Sequence, residues 1–436
     1  MRNVKKVLAL FLVAAIPLVM LGGCSSSAKT NQSNSSKGVV NISFWDMDWG
    51  NDQYPTVGQS IVDKFNKTHS NIKVSYQALP WTNYYQTFAE AIASNTTPDC
   101  SSGSGYQSVQ FYAAGHISSL DDLVQEMQKS GEIKDFAPGT LEYMKYNGHY
   151  FALPWQIDLR VIFYNKDLLK AAGVNPPTNW DEFEAACKKV TNAAKGTYGF
   201  IIPNDQYGRQ VCISFFQNNN GGLFTADKKA NVTDPKNLEA LTYLTNLSKE
   251  GVLDPAGAGM TDNDARNEFQ SGKVAFIMDT ANYGMNLANT KNSVGILDPL
   301  KSPSGTVGTH RSVNNYMVYS ASKHTTEAKE FLRWWTENNI ELWSEGGANG
   351  IPVRKSLQEN SYFTNLAMYK TVIDKWLPAG KVLATHYTTW FPQLNQIDGD
   401  QIMEDMAVGV TLKKDPSISL QAVQNVLLKY MAGSGS

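Results

Sequence analysis

The chain has 436 residues, a formal net charge of −2, and 18% charged against 11% aromatic side chains. That length suffices for two substantial hydrophobic cores. The charge balance offers no basic field for nucleic acid. Four cysteines and six histidines at irregular spacing fit no zinc pattern, so neither a metal nor a cofactor is expected.

Arg2, Lys5 and Lys6 precede an apolar run over residues 7–21 that only Pro17 interrupts. At about 15 residues it falls short of the ~20 needed to span a bilayer and reads as a signal-peptide core. Leu21-Gly22-Gly23-Cys24 follows at once. Small residues before a cleavage point, with a thiol behind them to carry lipid, resemble the bacterial lipobox. Residues 1–23 are therefore expected to be removed and Cys24 lipidated. Residues 24–38 contain no apolar side chain larger than Ala apart from Cys24. Such a stretch cannot offset the cost of ordering and should act as a flexible tether beside a membrane.

The body opens with Val39-Val40-Asn41-Ile42-Ser43-Phe44-Trp45, a β-branched run that predicts a strand. Ile61, Val62 and Phe65 recur at helical spacing; Ile72 to Tyr76 alternates as a second strand; residues 84–92 return to the helical period. Strand, helix, strand, helix implies a parallel sheet covered by helices. Asn147-Gly148 predicts a hairpin turn, since both residues tolerate positive φ. Val161-Ile162-Phe163-Tyr164 and Val274-Ala275-Phe276-Ile277-Met278 predict buried strands, and residues 181–190 a helix with Thr178 as its N-cap. Helices dominate after about residue 325, including a long one from Leu394. Cys100, Cys187 and Cys212 cannot all pair: Cys187 and Cys212 either form a bridge or remain buried thiols.

Several segments, taken together, resemble the family-1 extracellular solute-binding proteins, the maltose-binding-protein group. The most specific is LPWQIDLRVIFYNKDLL over residues 153–169, followed by Ala171-Ala172-Gly173-Val174 and Pro176-Pro177-Thr178-Asn179-Trp180-Asp181-Glu182-Phe183. Phe269-Gln270-Ser271-Gly272-Lys273 before the Val274 strand, Gly350-Ile351-Pro352-Val353-Arg354, and Pro98-Asp99 match further family segments. The resemblance implies a two-lobed α/β clamp of the type II periplasmic-binding-protein kind, with three interlobe crossings near residues 153–159, 294–299 and 338–342. The N-lobe would then combine residues 39–155 with 296–338, and the C-lobe 156–295 with 339–432. It also implies a binding protein rather than an enzyme. A monomer is expected, delivering a carbohydrate to the permease and ATPase subunits of an ATP-binding-cassette importer. The lipid on Cys24 would hold it at the outer face of the cytoplasmic membrane; the long polar tether fits a Gram-positive surface.

A sugar offers apolar C–H faces to aromatic rings and hydroxyls to forked polar groups. Aromatics beside Asp, Asn or Arg at strand ends are therefore the candidates. Trp45-Asp46-Met47-Asp48-Trp49 suits a cleft lip, with Trp45 and Asp46 ahead of Asp48 and Trp49; the alternative is a Trp packed under the first helix. Trp155 and Asp158 lie in the first crossing, where the resemblance implies a ligand carboxylate, although Arg160 could merely neutralise Asp158. By the same likeness Tyr283 and Trp390 match stacking aromatics, with Asp279 as a hydroxyl partner or a helix cap. Trp81, Tyr106 and Tyr207 are further candidates for contact with ligand. The Ser/Gly loop at 101–105 reads as a turn rather than an anion cradle. The rival readings are a non-sugar guest in the same clamp (a polyol, a sugar phosphate or a peptide) and an exported glycoside hydrolase. The latter needs a carboxylate pair that nothing among Asp46, Asp48 and Asp158 marks out.

Overall fold

A computed structural model describes residues 38–385 and 390–433. The leader, Cys24 and the tether up to residue 37 lie outside the described residues, as do residues 386–389. Strand β1 (Val40–Met47) buries Ile42 and Phe44 on alternate positions, and helix α1 (Tyr54–Thr68) buries Val57, Ile61, Val62 and Phe65 along one face. Strand β2 (Ile72–Leu79), helix α2 (Tyr84–Ser94) and strand β3 (Cys100–Gly103) continue the alternation. β1 pairs in parallel with both β2 and β3. Helices α3 (Gln107–Ala113) and α4 (Asp121–Ser130) lead to a hairpin of β4 (Lys145–Tyr146) and β5 (His149–Tyr150). Asn147 and Gly148 turn it with φ of 51° and 87°.

The 13-residue strand β6 (Leu153–Asn165) is the spine of the molecule. Then follow α5 (Lys166–Ala171), α6 (Trp180–Val190), β7 (Tyr198–Phe200), α7 (Gln206–Asn218) and α8 (Pro235–Lys249). Next come α9 (Asp262–Gln270), β8 (Val274–Thr280), α10 (Ala281–Thr290), β9 (Val294–Ile296), β10 (Thr309–Val318) and α11 (Thr325–Glu337). Short strands β11 (Ile351–Pro352) and β12 (Gly380–Lys381) precede the C-terminal helices. Among the described residues the main sheet has ten strands, its path running β2-β1-β3-β10-β6-β8-β7. It is mixed: β10 and β6 run antiparallel to their neighbours on this path. The first half of β6 pairs with β10 and the second half with β8 and β9, so one strand serves both halves of a two-lobed α/β molecule. Consecutive β10 residues Asn314 and Asn315 pair with Gln156 and Pro154, so β6 carries one extra residue, Trp155, a bulge that re-aims side chains.

Contacts trace the chain between the halves. Residues 300–306 stay with the α6–α7 side: Asn218 Nδ2 donates to the Leu300 carbonyl at 2.8 Å, and Lys301 N to that of Thr178 at 2.9 Å. Residues 341–356 stay with the β1–α1 side, where Asn51 N donates to the Gly346 carbonyl at 2.9 Å and Arg354 Nη2 meets Glu132 at 2.6 Å. By Tyr362 the chain has returned to α10, its hydroxyl donating to Asn286 Oδ1 at 2.9 Å.

Three local expectations need correction. Helix α6 is capped by Asn179, whose Oδ1 accepts from Glu182 N at 2.9 Å, rather than by Thr178. The Glu182 carboxylate accepts instead from the amide and hydroxyl of Thr178, the residue before the cap. The long helix expected from Leu394 is two pieces, Gln393–Asp398 and Gln401–Thr411. Gly399 closes the first and Asp400 caps the second, accepting from Ile402 N at 2.9 Å. β1 extends two residues beyond its expected end, which matters for the site. Cys100, Cys187 and Cys212 are buried free thiols.

Candidate functional site

A cleft of ≈ 1120 Å³ opens where the ends of β1 and β3 face β6, α7, α9 and residues 310–314 of β10. Its first wall is aromatic. Because β1 continues through Met47, Trp45 and Asp46 remain strand residues and the lip begins at Asp48 and Trp49. The Trp49 indole lies edge-on to Trp81, centroids 4.6 Å apart, and donates through Nε1 to Ser102 Oγ at 3.2 Å. Trp81 in turn donates from Nε1 to the Asp48 carbonyl at 2.6 Å and meets the ring of Tyr84 at 5.2 Å. These bonds fix indole planes that would otherwise rotate. Ser101 and Ser102 therefore serve the sheet and the lip: Ser102 Oγ also accepts from Met47 N at 2.8 Å, and Ser101 pairs with the Tyr319 hydroxyl.

The opposite wall is built of guanidinium groups and carboxylates. Arg160, only 2% exposed, donates through Nη2 to Asp158 at 2.8 Å and stacks on the Tyr207 ring at 4.0 Å. Arg266 holds Asp279 with two bonds, Nε to Oδ2 at 2.7 Å and Nη2 to Oδ1 at 2.8 Å. It also pairs with Asp262 at 2.9 Å, donates to the Tyr207 hydroxyl at 3.2 Å, and lies over Tyr283 at 4.5 Å. Arg209 pairs with Asp398 at 3.2 Å. Burial pushes the Asp158 carboxyl above the usual carboxylate range, and Arg160 offsets only part of that. His310, also in the wall, is pushed down to about 3 by burial and by Arg160 and Arg209, so it is neutral at ordinary pH.

Of the residues expected from the sequence, Trp81, Tyr106, Asp158, Tyr207 and Tyr283 line this cleft together. The other five are not among its lining residues. Trp45 packs on Phe88, centroids 5.9 Å apart. Asp46 is fully buried and accepts from the Tyr54 hydroxyl at 3.1 Å. Trp155 stacks over Tyr316 at 5.4 Å within the core. Asp279 stands behind Arg266, 1% exposed. Trp390 is wedged between Tyr106 and Tyr143, at 4.7 and 6.0 Å. The order within the β1 motif is thus reversed: Asp48 and Trp49 reach the cleft, and Trp45 and Asp46 do not. Arg209, Gln210, Arg266 and His310 were missed. Only Arg266 carried a sequence signal, an arginine four residues after Asp262 on a helix, and that pattern is common on solvated faces.

A family model described as bacterial extracellular solute-binding protein matches residues 51–339. The arabinooligosaccharide-binding protein of Bacillus subtilis is 25% identical over 382 residues, 83% of this chain and 85% of that one. The crystal structure of a sugar transporter from Arthrobacter chlorophenolicus with bound laminaribiose superposes with a TM-score of 0.82 at 32% identity, covering 89% of this chain and 99% of the other. A ribitol-bound solute-binding protein from Agrobacterium radiobacter superposes at 0.75 with 19% identity, covering 90% and 99%, a likeness of fold alone.

Proposed function

The chain belongs to the bacterial extracellular solute-binding proteins, and from that premise we propose that it captures a neutral oligosaccharide between two closing lobes for an ATP-binding-cassette importer. The observation that carries this reading is the unlike pair of walls. Indoles of Trp49 and Trp81 suit the C–H face of a sugar ring, and the Asp158–Arg160 side suits its hydroxyls. Charge argues against an anionic guest: five carboxylates (Asp48, Asp52, Asp158, Asp262, Asp398) stand in the cleft against three guanidinium groups, with no lysine and a neutral His310. The laminaribiose held by the Arthrobacter relative makes a glucose disaccharide the first candidate here. Binding is expected without turnover, since Asp158 and Asp262 are each tied to an arginine rather than free as an acid–base pair.

The lobes we propose differ from a division at residues 155, 295 and 338. The contacts of residues 300–306 and 341–356 favour a return crossing within β10 and a third crossing near residue 360. Ligand touching both walls would shift the molecule toward closure, and the closed face would be read by the permease. Lipidation of Cys24 at the outer membrane face completes the proposal. A Cys24→Ser chain should lose incorporated palmitate and appear in the medium.

The test is a thermal-shift screen of the unlipidated mature chain against laminaribiose, arabino-oligosaccharides, maltose and ribitol. A saccharide at a hundred times its Kd should add about 2.7 kcal/mol of stability. No shift with any saccharide would refute the reading, and a shift with ribitol alone would replace sugar by polyol.

A further inference from the structure

Native proteins pair some nine in ten of their buried polar groups, so a cluster of unpaired ones in one wall calls for a partner. Such a cluster surrounds Arg160. Its Nε and Nη1 carry N–H groups with no acceptor among the described residues, although the side chain is 2% exposed and lines the cleft. Asp158 Oδ1, the oxygen not used by the ion pair, has no donor either, and the same holds for Gln210 Oε1 and His310 Nδ1.

The fold brings these groups together from three elements. Residues 207, 210 and 214 share one face of α7. Tyr207 lies against the Arg160 guanidinium at 4.0 Å, and Ser214 Oγ accepts from His310 N at 3.1 Å. Gln210 sits between them. His310 comes beside Arg160 because Thr309 Oγ1 donates to the Arg160 carbonyl at 2.6 Å and β10 pairs with β6 from Arg311 opposite Leu159.

The polarity of the orphans narrows the guest. Arg160 can only donate and the Asp158 carboxylate can only accept. A carboxylate on the ligand would satisfy the first and be repelled by the second, while an ammonium would do the reverse. A hydroxyl both donates and accepts, and two on neighbouring carbons span adjacent donors and acceptors. We infer that Arg160, with Asp158, Gln210 and His310 around it, is the specificity-determining subsite for a vicinal diol of the sugar. It therefore selects against uronic acids and amino sugars. Tyr207, with guanidinium carbons of Arg160 and Arg266 at 4.0 and 5.0 Å from its ring centre, is a positioning residue for these arginines rather than a stacking platform for sugar.

This rests on the saccharide reading, and calorimetry with laminaribiose separates the two. The wild-type chain, R160M and R160K are titrated with laminaribiose and with its monodeoxy analogues. In the wild type, two analogues lacking hydroxyls on adjacent carbons should bind roughly 10- to 100-fold more weakly, the range for hydrogen bonds to charged groups. In R160M those penalties should shrink to within about threefold, because the hydroxyl no longer has its donor. R160K keeps the charge against Asp158 but loses the fork, so it should shrink them in part, and it serves where R160M fails to fold by circular dichroism. Failure of the wild type to bind laminaribiose removes the disaccharide reading and this subsite with it. Wild-type binding with deoxy penalties unchanged in the folded Arg160 variants overturns the subsite alone.

Discussion

Replacing Asp46 by Asn should stabilise this protein at neutral and alkaline pH and leave it nearly unchanged in acid. Asp46, the penultimate residue of β1, has no exposed surface, and one of its oxygens accepts from the Tyr54 hydroxyl at 3.1 Å. Burial, partly opposed by hydrogen bonds from Ser102 and Tyr54, pushes the carboxyl up from 3.8 to about 7. A raised acid pKa means the native state holds a proton that the unfolded chain releases. The native fold therefore loses stability as pH rises from about 4 to about 7, and the loss is complete above that. Three pKa units at 1.36 kcal/mol each set the loss at no more than about 4 kcal/mol. Asn keeps an acceptor for Tyr54 and carries no charge to desolvate, so D46N should escape it. Urea unfolding of both proteins at pH 4 to 8.5 gives the comparison. The difference in stability should be near zero at pH 4 and grow to about 2–4 kcal/mol in favour of D46N by pH 8. A difference that stays flat with pH, or grows toward acid, would refute the reasoning.

Three further outcomes follow from the same contacts. Trp81→Ala should weaken saccharide binding by about 30-fold, or ~2 kcal/mol, in a calorimetric titration while leaving the urea midpoint nearly unchanged, as expected of an aromatic anchor at the cleft edge. Trp155→Ala should do the opposite first: its ring is core, stacked on Tyr316 and edged by Trp49 and Trp343, so about 3–5 kcal/mol of stability should be lost in urea unfolding. Asp279→Ala leaves Arg266 without its two-bond partner and should cost about 3 kcal/mol, whereas Asp279→Asn, which keeps an acceptor, should cost less.

Local pattern carried most of the first half of the fold. The alternation of Ile42 and Phe44, the helical spacing of Ile61 and Phe65, and the Asn147-Gly148 turn are short-range signals, and each became the element it implied. What failed was set at long range. β1 runs on through Met47 because β2 pairs with it as far as Leu79, a partner that no pattern near Trp45 announces. That two-residue extension turned Asp46 from a lip residue into a buried acid and moved the lip to Asp48 and Trp49. Trp155 and Trp390 stand in the sequence as candidate ligand contacts because tryptophan serves cleft and core alike; only the rings around them, Tyr316 for one and Tyr106 with Tyr143 for the other, decide which. Arg209 and Arg266 were illegible for a related reason, whereas the Asp158–Arg160 pair, two residues apart on β6, could be read from the sequence. A guanidinium in a sequence looks solvated until the distant carboxylates that hold it, Asp398 for Arg209 and Asp279 for Arg266, arrive from elsewhere in the chain.

The central claim is that one neutral sugar lies between an indole wall and a guanidinium wall. A crystal structure of the mature chain with laminaribiose tests it directly. A ring is expected against Trp81 or Trp49, with a pair of adjacent hydroxyls within hydrogen-bonding distance of Arg160 and Asp158. Laminaribiose bound elsewhere, or bound in the cleft with Arg160 and Asp158 still joined only to each other, would contradict it.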